Sequence, residues 1–318
     1  HHDRANRKID WTYKVPLLGG VNNFYASVSA WNNIKSKSQT ISIDSAIEDK
    51  NESTLVINSF GIDKYKDEFL NLNYAVVDAN AVADIFFEKT EKSKSKRIKT
   101  LVLDGKAKAK NIRSKLKQLS TLQASDTVVL FLSGHGIAIN NNWYFLPQEA
   151  EVNWGDYYIE KTAISGKEIA AAILETPAQK VLLAIDACQS GAVLNDFESF
   201  VQNKTFQQIS EDTGVHILTA TRADQLAPEY EILGHGLFTY TLLKGLDKRN
   251  GIYNADRWPK DNNLTVGELK KYVLRYAPLL ARKLNERSLA ATAQRGSEEL
   301  EVLITPAQLT TGTDFKLN

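Results

Sequence analysis

The sequence predicts an α/β domain built on a mostly parallel sheet with helices on both faces. Short runs of Val, Ile and Leu recur, as in "TLVINSF", "TVVLFLS" and "KVLLAID". Strands apolar throughout are buried on both faces, as parallel strands are. Stretches with apolar residues at helical spacing lie between them, giving a βαβα alternation. Two of the runs also end on small-residue loops, "SGHG" and "CQSG". Ligands of such sheets bind at the carboxyl ends of the strands.

Composition sets the outer bounds. A chain of 318 residues, 43% hydrophobic, can bury a sizeable core. A net charge of +1 gives no strong field for nucleic acid or an anionic membrane. No apolar run is long enough for a membrane span and no signal peptide is visible, so a cytoplasmic protein is expected. The single cysteine excludes an internal disulfide and a cysteine-based zinc site. The chain holds no methionine and opens on His1 and His2, so a processed fragment is expected.

Residues 1–52 form a separate β segment. Phe24 to Trp31 and Thr40 to Ile43 alternate apolar and polar residues around the turn "NNIKSKS", a hairpin signature. Two or three strands make no core of their own. The pattern "ASVSAWNNIKSKSQTISI" resembles the final strands of an immunoglobulin-like module.

The main domain, 53–318, begins with the strand "TLVINSF" and the loop "GIDKYKDEFLNL". A helix follows, with Ala75, Val76, Ala79, Val82, Ala83 and Phe86 on one face. "KSKSKRIK" reads as a solvated basic loop, because no aromatic residues interleave it as a nucleic-acid patch would require. "TLVLDG" is the second strand, "AKNIRSKLKQLSTL" a helix, and "DTVVLFLSGHG" the third strand with its loop. "NNWYFLPQEAEV" reads as a β-hairpin arm, and Ser165 with Glu168 makes a capping box for the next helix. "KVLLAIDACQSG" and "GVHILTAT" are the fourth and fifth strands. "GHGLFTYTLLKGL" is a helix, and Thr265 with Glu268 caps another. "EELEVLIT" is the sixth strand.

His135 and Cys188 each lie just past a buried strand, so neighbouring strands would open both onto one crevice. A thiol needs a nearby base to be a useful nucleophile at neutral pH, and an imidazole can then protonate the leaving amine. Gly134 and Gly136 keep the flanks of the imidazole open, and the backbone N–H groups of Gly136 and Cys188 can form an oxyanion hole. A cysteine at a strand end can equally be a small buried hydrophobe. His216 lies inside a strand and reads as structural; His235 precedes a helix and reads as capping and packing.

The paired loops "LFLSGHG" and "LLAIDACQSG" resemble the caspase-like cysteine peptidases, most closely the metacaspases and bacterial orthocaspases. Their histidine and cysteine stand 53 residues apart, where the caspase histidine lies about 50 residues upstream. The likeness extends over roughly 53–305, through "LVINSFGIDKYKDEFLNLNYAVVDANAVADIF" and "ILTATRADQLAPEYEILGHGLFTYTLLKGL". It implies a caspase-like, mostly parallel six-stranded sheet and a regulated thiol protease, with His135 as general acid/base and Cys188 as nucleophile.

Caspases proper carry Gln-Ala-Cys at the nucleophile; this chain carries Asp186-Ala187-Cys188. Residues two apart in a strand share a face, so Asp186 is expected beside Cys188, where a carboxylate favours a cationic substrate side chain. A salt bridge or a loop hydrogen bond would account for Asp186 as well. In the similar metacaspases this aspartate and one in the early helix line a pocket for Arg or Lys, and Asp186 and Asp78 fit those positions. Asp224 and Glu229 either add charge to the same rim or are solvated loop residues. Self-cleavage is expected at Lys204, the one basic residue of "VLNDFESFVQNKTFQQISEDTG", with "KSKSKRIK" as a competitor. The expected partners are protein or peptide substrates with a basic P1 residue, and an upstream sensor or regulatory domain. No cofactor or metal is expected: some metacaspases need calcium, but no EF-hand loop or compact Asp cluster is present. An inactive caspase-like scaffold, a peptidase specific for Asp and an acyl transferase are the competing readings. A redox sensor would call for a resolving cysteine, which the chain lacks.

Overall fold

The computed structural model describes residues 17, 20–24, 27–29, 35–45, 53–89, 96–140, 142–151, 155–188, 190–194, 196, 214–220, 229–249, 251–257, 260–261 and 263–293. The chain divides into two units, His1–Glu52 and Ser53–Asn318. In the first, β1 (Gly20–Phe24) pairs antiparallel with β4 (Ile41–Ser45), and β2 (Ser27–Ser29) with β3 (Lys35–Lys37). The two antiparallel pairings nest, from Gly20↔Ser45 outermost to Ser29↔Lys35 innermost, as an antiparallel hairpin does; the correction is to the turn, since the expected "NNIKSKS" contains β3. Val21, Ile41 and Ile43 of the outer pair are exposed.

The second unit begins with β5 (Thr54–Gly61), α1 (Ala75–Lys89), β6 (Lys96–Leu103), α2 (Ala109–Gln118) and β7 (Thr127–Gly134). Next come β8 (Gly136–Ile139), β9 (Asn142–Phe145), α3 (Asp156–Thr162), β10 (Ile164–Ser165), α4 (Gly166–Leu174), β11 (Lys180–Ala187) and β12 (Val215–Thr219). The described part ends with β13 (Glu229–Tyr230), β14 (His235–Gly236), α5 (Leu237–Leu246), β15 (Lys248–Arg249), β16 (Ile252–Tyr253) and α6 (Val266–Ala293).

Five strands form the central sheet in the order β12-β11-β7-β5-β6, every pair parallel. The direction of winding reverses between β5 and β7, where loops leave the sheet to opposite sides and open a crevice. The sixth expected strand, 298–305, lies outside the described residues. Two sequence expectations shift. The second strand starts at Lys96, inside the stretch expected to be a basic loop; Lys96 and Lys99 are exposed on this edge strand, so their charges stay in water. Helix α3 was not expected: it holds one buried residue, Ile159, too few for a periodic signal.

Strand periodicity sorts the core into two faces. On β11, Val181, Leu183 and Ile185 pack with Ile112 and Leu116 of α2 and Ile169 of α4. Leu182 and Ala184 point the other way, towards Val82 and Phe86 of α1 and Phe238 and Leu242 of α5. Helix α1 lies close on β5. A Cβ on Gly61 would sit 2.5 Å from the Ala75 carbonyl oxygen and 2.7 Å from the Ala79 Cβ. The start of α1 is held by Asp63, whose carboxylate accepts from the Ala75 and Val76 N–H groups at 2.7 and 3.2 Å, so a negative charge meets the positive end of the helix dipole. Gly61→Ala should therefore push α1 off the sheet and lower stability by about 1–3 kcal/mol. An unchanged denaturation midpoint would show that the helix yields at no cost.

Candidate active site

The ladder between β7 and β11 runs from Thr127↔Lys180 to Gly134↔Ala187. His135 and Cys188 are each the next residue along their strands. Adjacent strands lie about 4.8 Å apart, so both residues leave the same edge of the sheet side by side. Both are half-buried. The backbone turns away at Gly134, whose φ of +153° is disfavoured for residues with a side chain; a Cβ there would also lie 2.9 Å from the Tyr65 hydroxyl.

The loop after β5 reaches across the crevice to His135. The Tyr65 hydroxyl accepts from the His135 N–H at 2.9 Å, and the two rings are 5.2 Å apart. The Leu70 carbonyl is 2.9 Å from His135 Nε2. A carbonyl can only accept, so Nε2 carries the proton and Nδ1 keeps the lone pair. Burial pushes the His135 imidazole below its usual 6.5, with the Leu70 carbonyl pulling the other way. The Tyr65 phenol is pushed well above its usual range, chiefly by burial, and stays neutral. Neither Tyr65 nor Leu70 carries a sequence signal for this role.

Gly136 faces the Cys188 carbonyl, from which a Cβ would stand 2.6 Å away. That carbonyl accepts from Trp143 Nε1 at 3.1 Å. Asp186 continues the Leu182–Ala184 face of β11 and meets the start of α5. Its Oδ2 accepts from the Thr239 N–H at 3.1 Å and the Thr239 hydroxyl at 2.6 Å. Asp78, in the first turn of α1, arrives at the same place. Its Oδ1 lies 2.6 Å from His235 Nδ1, and its Oδ2 accepts from the Gly236 N–H at 3.0 Å. A Cβ on Gly236 would stand 2.5 Å from Asp186 Oδ2 and 3.0 Å from Asp78 Oδ2, so only glycine fits between the carboxylates. Burial pushes the Asp78 carboxyl up, while His235 and the Gly236 N–H pull it down.

Sequence reasoning thus meets the structure unevenly. Cys188 with His135, and Asp186 with Asp78, are brought together. The backbone of Glu229 pairs with Gly236, beside the two carboxylates. Asp224 and Lys204 lie outside the described residues. His235, expected to cap and pack, instead partners Asp78, 157 residues away. His216 is buried in β12, as expected of a structural residue. Among the described residues no group of three or more His, Cys, Asp or Glu side chains is gathered as a metal site, and no helix is long and apolar enough to cross a membrane.

The lowered His135 value has two consequences. The imidazole is neutral at pH 7 and able to take a proton. Its native pKa lies below the unfolded one, so the fold loses this group's contribution as pH falls below 6.5 towards the native value. A histidine-ring NMR titration, with His135 assigned by its absence in His135→Gln, should give a midpoint below 6.5. A midpoint above it would mean that the Leu70 carbonyl outweighs burial.

Comparison with known proteins adds the following. A family model described as the caspase domain matches residues 55–263. No curated protein matches. Among solved structures, a structural-genomics crystal structure of a protein from Geobacter sulfurreducens is similar, with a TM-score of 0.48 at 17% identity, covering 70% of this chain and 89% of that one.

Proposed function

Because the chain belongs to the caspase-domain family, a family of cysteine peptidases, we propose that it is an endopeptidase that uses Cys188 and His135 and cleaves after Arg or Lys. The observation that carries this reading is the β7–β11 register, which brings the one thiol of the chain beside an imidazole whose Nδ1 keeps its lone pair. Nδ1 takes the thiol proton, and Sγ attacks the scissile carbonyl carbon. The resulting oxyanion is held by the N–H groups of Cys188 and Gly136. The imidazolium then protonates the leaving amine and a thioester remains. Water, deprotonated by His135, attacks the thioester; the acid leaves and the thiol regains its proton. Thiol, imidazole and water suffice for every step.

The preference for a basic P1 residue is supported by the carboxylates on either side of Gly236. Two buried carboxyl groups gathered at one corner offer oxygen acceptors to a cationic side chain, and a charge-assisted hydrogen bond is stronger than a neutral one. Asp186 is the proposed partner of the substrate cation, with Asp78 behind it and Asp224 and Glu229 on the rim. Lys204 is the proposed self-cleavage site. The N-terminal unit is proposed as the closing strands of an immunoglobulin-like module, a reading supported by its exposed Val21, Ile41 and Ile43.

Cys188→Ala should abolish cleavage and leave the fold intact, and His135→Ala should be nearly as damaging because the pair acts as a unit. Retained activity in either would sink the mechanism. In a peptide series varying only P1, the unmutated enzyme should favour Arg and Lys over Ala and Asp. Losing one partner of a buried charge pair costs roughly 3–5 kcal/mol, so Asp186→Ala should cut cleavage after Arg by on the order of a hundredfold or more and cleavage after Ala far less. A preference for Asp, or an undiminished Arg preference in Asp186→Ala, would refute the specificity assignment. Fragments of the active enzyme should begin at Thr205 and be absent from Cys188→Ala; fragments that all begin elsewhere would remove Lys204.

A further inference from the structure

We propose that Asp196 is a positioning residue for the nucleophile, holding Trp143 so that its indole clamps the Cys188 carbonyl. The inference rests on Cys188 being the nucleophile. Trp143, on β9, is fully buried and has two N–H donors. The backbone N–H donates to Asp196 Oδ2 at 2.9 Å, and the indole N–H donates to the Cys188 carbonyl at 3.1 Å. Both donors thus serve the segment that follows β11, one at each end. On its other side the β8–β9 hairpin is tied to His135. Gly136 pairs with Phe145, and the Leu146 N–H donates to the His135 carbonyl at 3.0 Å. Trp143 is therefore the fastening between the histidine side and the cysteine side of the site.

Cys188 needs such a fastening. The sheet ladder holds it on the N-terminal side, through Ala187↔Gly134. On the C-terminal side, the Cys188 carbonyl carbon is bonded to the Cα that carries both Sγ and the oxyanion-binding N–H, so holding the carbonyl holds both. A misplacement of about an ångström can cost on the order of a hundredfold in rate. Two glycines make room for the clamp. A Cβ at Gly136 would stand 2.7 Å from the indole, and one at Gly166 would collide with Asp196 Oδ2.

The Asp196 carboxylate is itself buried. Burial raises its pKa to about 6, against the pull of the Trp143 N–H and of Lys167 on α4. Tyr144 on β9 faces Asp196, and feels Glu160 on α3 and Glu168 on α4 as well. The Tyr144 phenol is shifted upward, away from neutral pH. Glu168 is shifted down on balance: burial raises it, but Arg113 and Ser165 pull it lower. Asp196 is then the group of this assembly that titrates at about 6, while burial holds the His135 imidazole below 6.5.

The signs separate a positioning role from a purely structural one. An acid whose native pKa exceeds its unfolded 3.8 favours the fold when protonated. Lowering the pH through about 6 therefore adds stability through Asp196 while it weakens the charge-assisted bond to Trp143. Asp196→Asn keeps an acceptor and removes the charge. It should lower kcat roughly tenfold at pH 7.5, leave KM unchanged, and keep the melting temperature the same or raise it. Its acid limb should lack the step at about pH 6 that Asp196 gives the unmutated enzyme. Trp143→Phe, which lacks the indole donor, should lose a similar factor, and the double variant no more than the larger single loss. Iodoacetamide alkylation of Cys188, the sole thiol, should rank the variants in the same order, even if no peptide substrate is cleaved. Unmutated kcat and alkylation rate in Asp196→Asn, or losses that only track unfolded protein, would overturn the proposal. Should Asp196→Asn fail to fold, the alkylation rate of Trp143→Phe decides: slowed supports the clamp, unchanged refutes it.

Discussion

The site depends on one constraint, the register of the parallel ladder between β7 and β11. Eight residue pairs lock it, and on both faces the side chains of these strands are buried against helices. A slip of one residue would turn every side chain of β11 to the opposite face. Asp186 would then face the α2–α4 layer, and Cys188 would no longer stand next to His135. The apolar runs on either side of the reactive residues therefore hold chemical geometry as well as stability.

The sheet decides where the reactive groups stand, and the connections decide what surrounds them. The loop after β5 crosses at the reversal of winding and brings Tyr65 and Leu70 to His135. The β8–β9 hairpin brings Trp143 to Cys188. The beginnings of α1 and α5 meet over the end of β11, bringing Asp78 beside Asp186 with Gly236 between them. Each contact joins residues far apart in sequence, from 45 residues for Trp143 and Cys188 to 158 for Asp78 and Gly236. The pocket exists only once the whole domain has folded.

That separation explains what could be read in the sequence. Strands β5, β7, β11 and β12 are legible because continuous apolar runs announce them. Both capping boxes, Ser165 with Glu168 and Thr265 with Glu268, form as their local spacing requires. Cys188 and His135 stand out through their small-residue loops, and Asp186 through the two-residue period of a strand. Tyr65 and Trp143 do not, because an aromatic residue near a turn looks the same whether it fills a core or holds a backbone atom. The pairing of His235 with Asp78 is set by tertiary packing alone. In the N-terminal unit the antiparallel pairing is legible from alternation, but the extent of the turn is not, because Ile41 and Ile43 lie open to solvent and give no buried face to mark where pairing stops.

The lysine-bearing edge strand β6 has a further consequence. Lys96, Arg97 and Lys99 lie on the outer border of the sheet, with Asp84 as a counter-charge for Lys99. Antiparallel docking of a second copy along this border would set cations against cations over the length of the strand. The molecule is almost neutral overall, at +1, so its net charge does little to keep copies apart. That task falls to local charge, whose reach is about 8 Å at physiological ionic strength and shrinks as salt rises. Colloidal behaviour at this border is thus governed by ionic strength, through a few side chains at the far side of the sheet from Cys188.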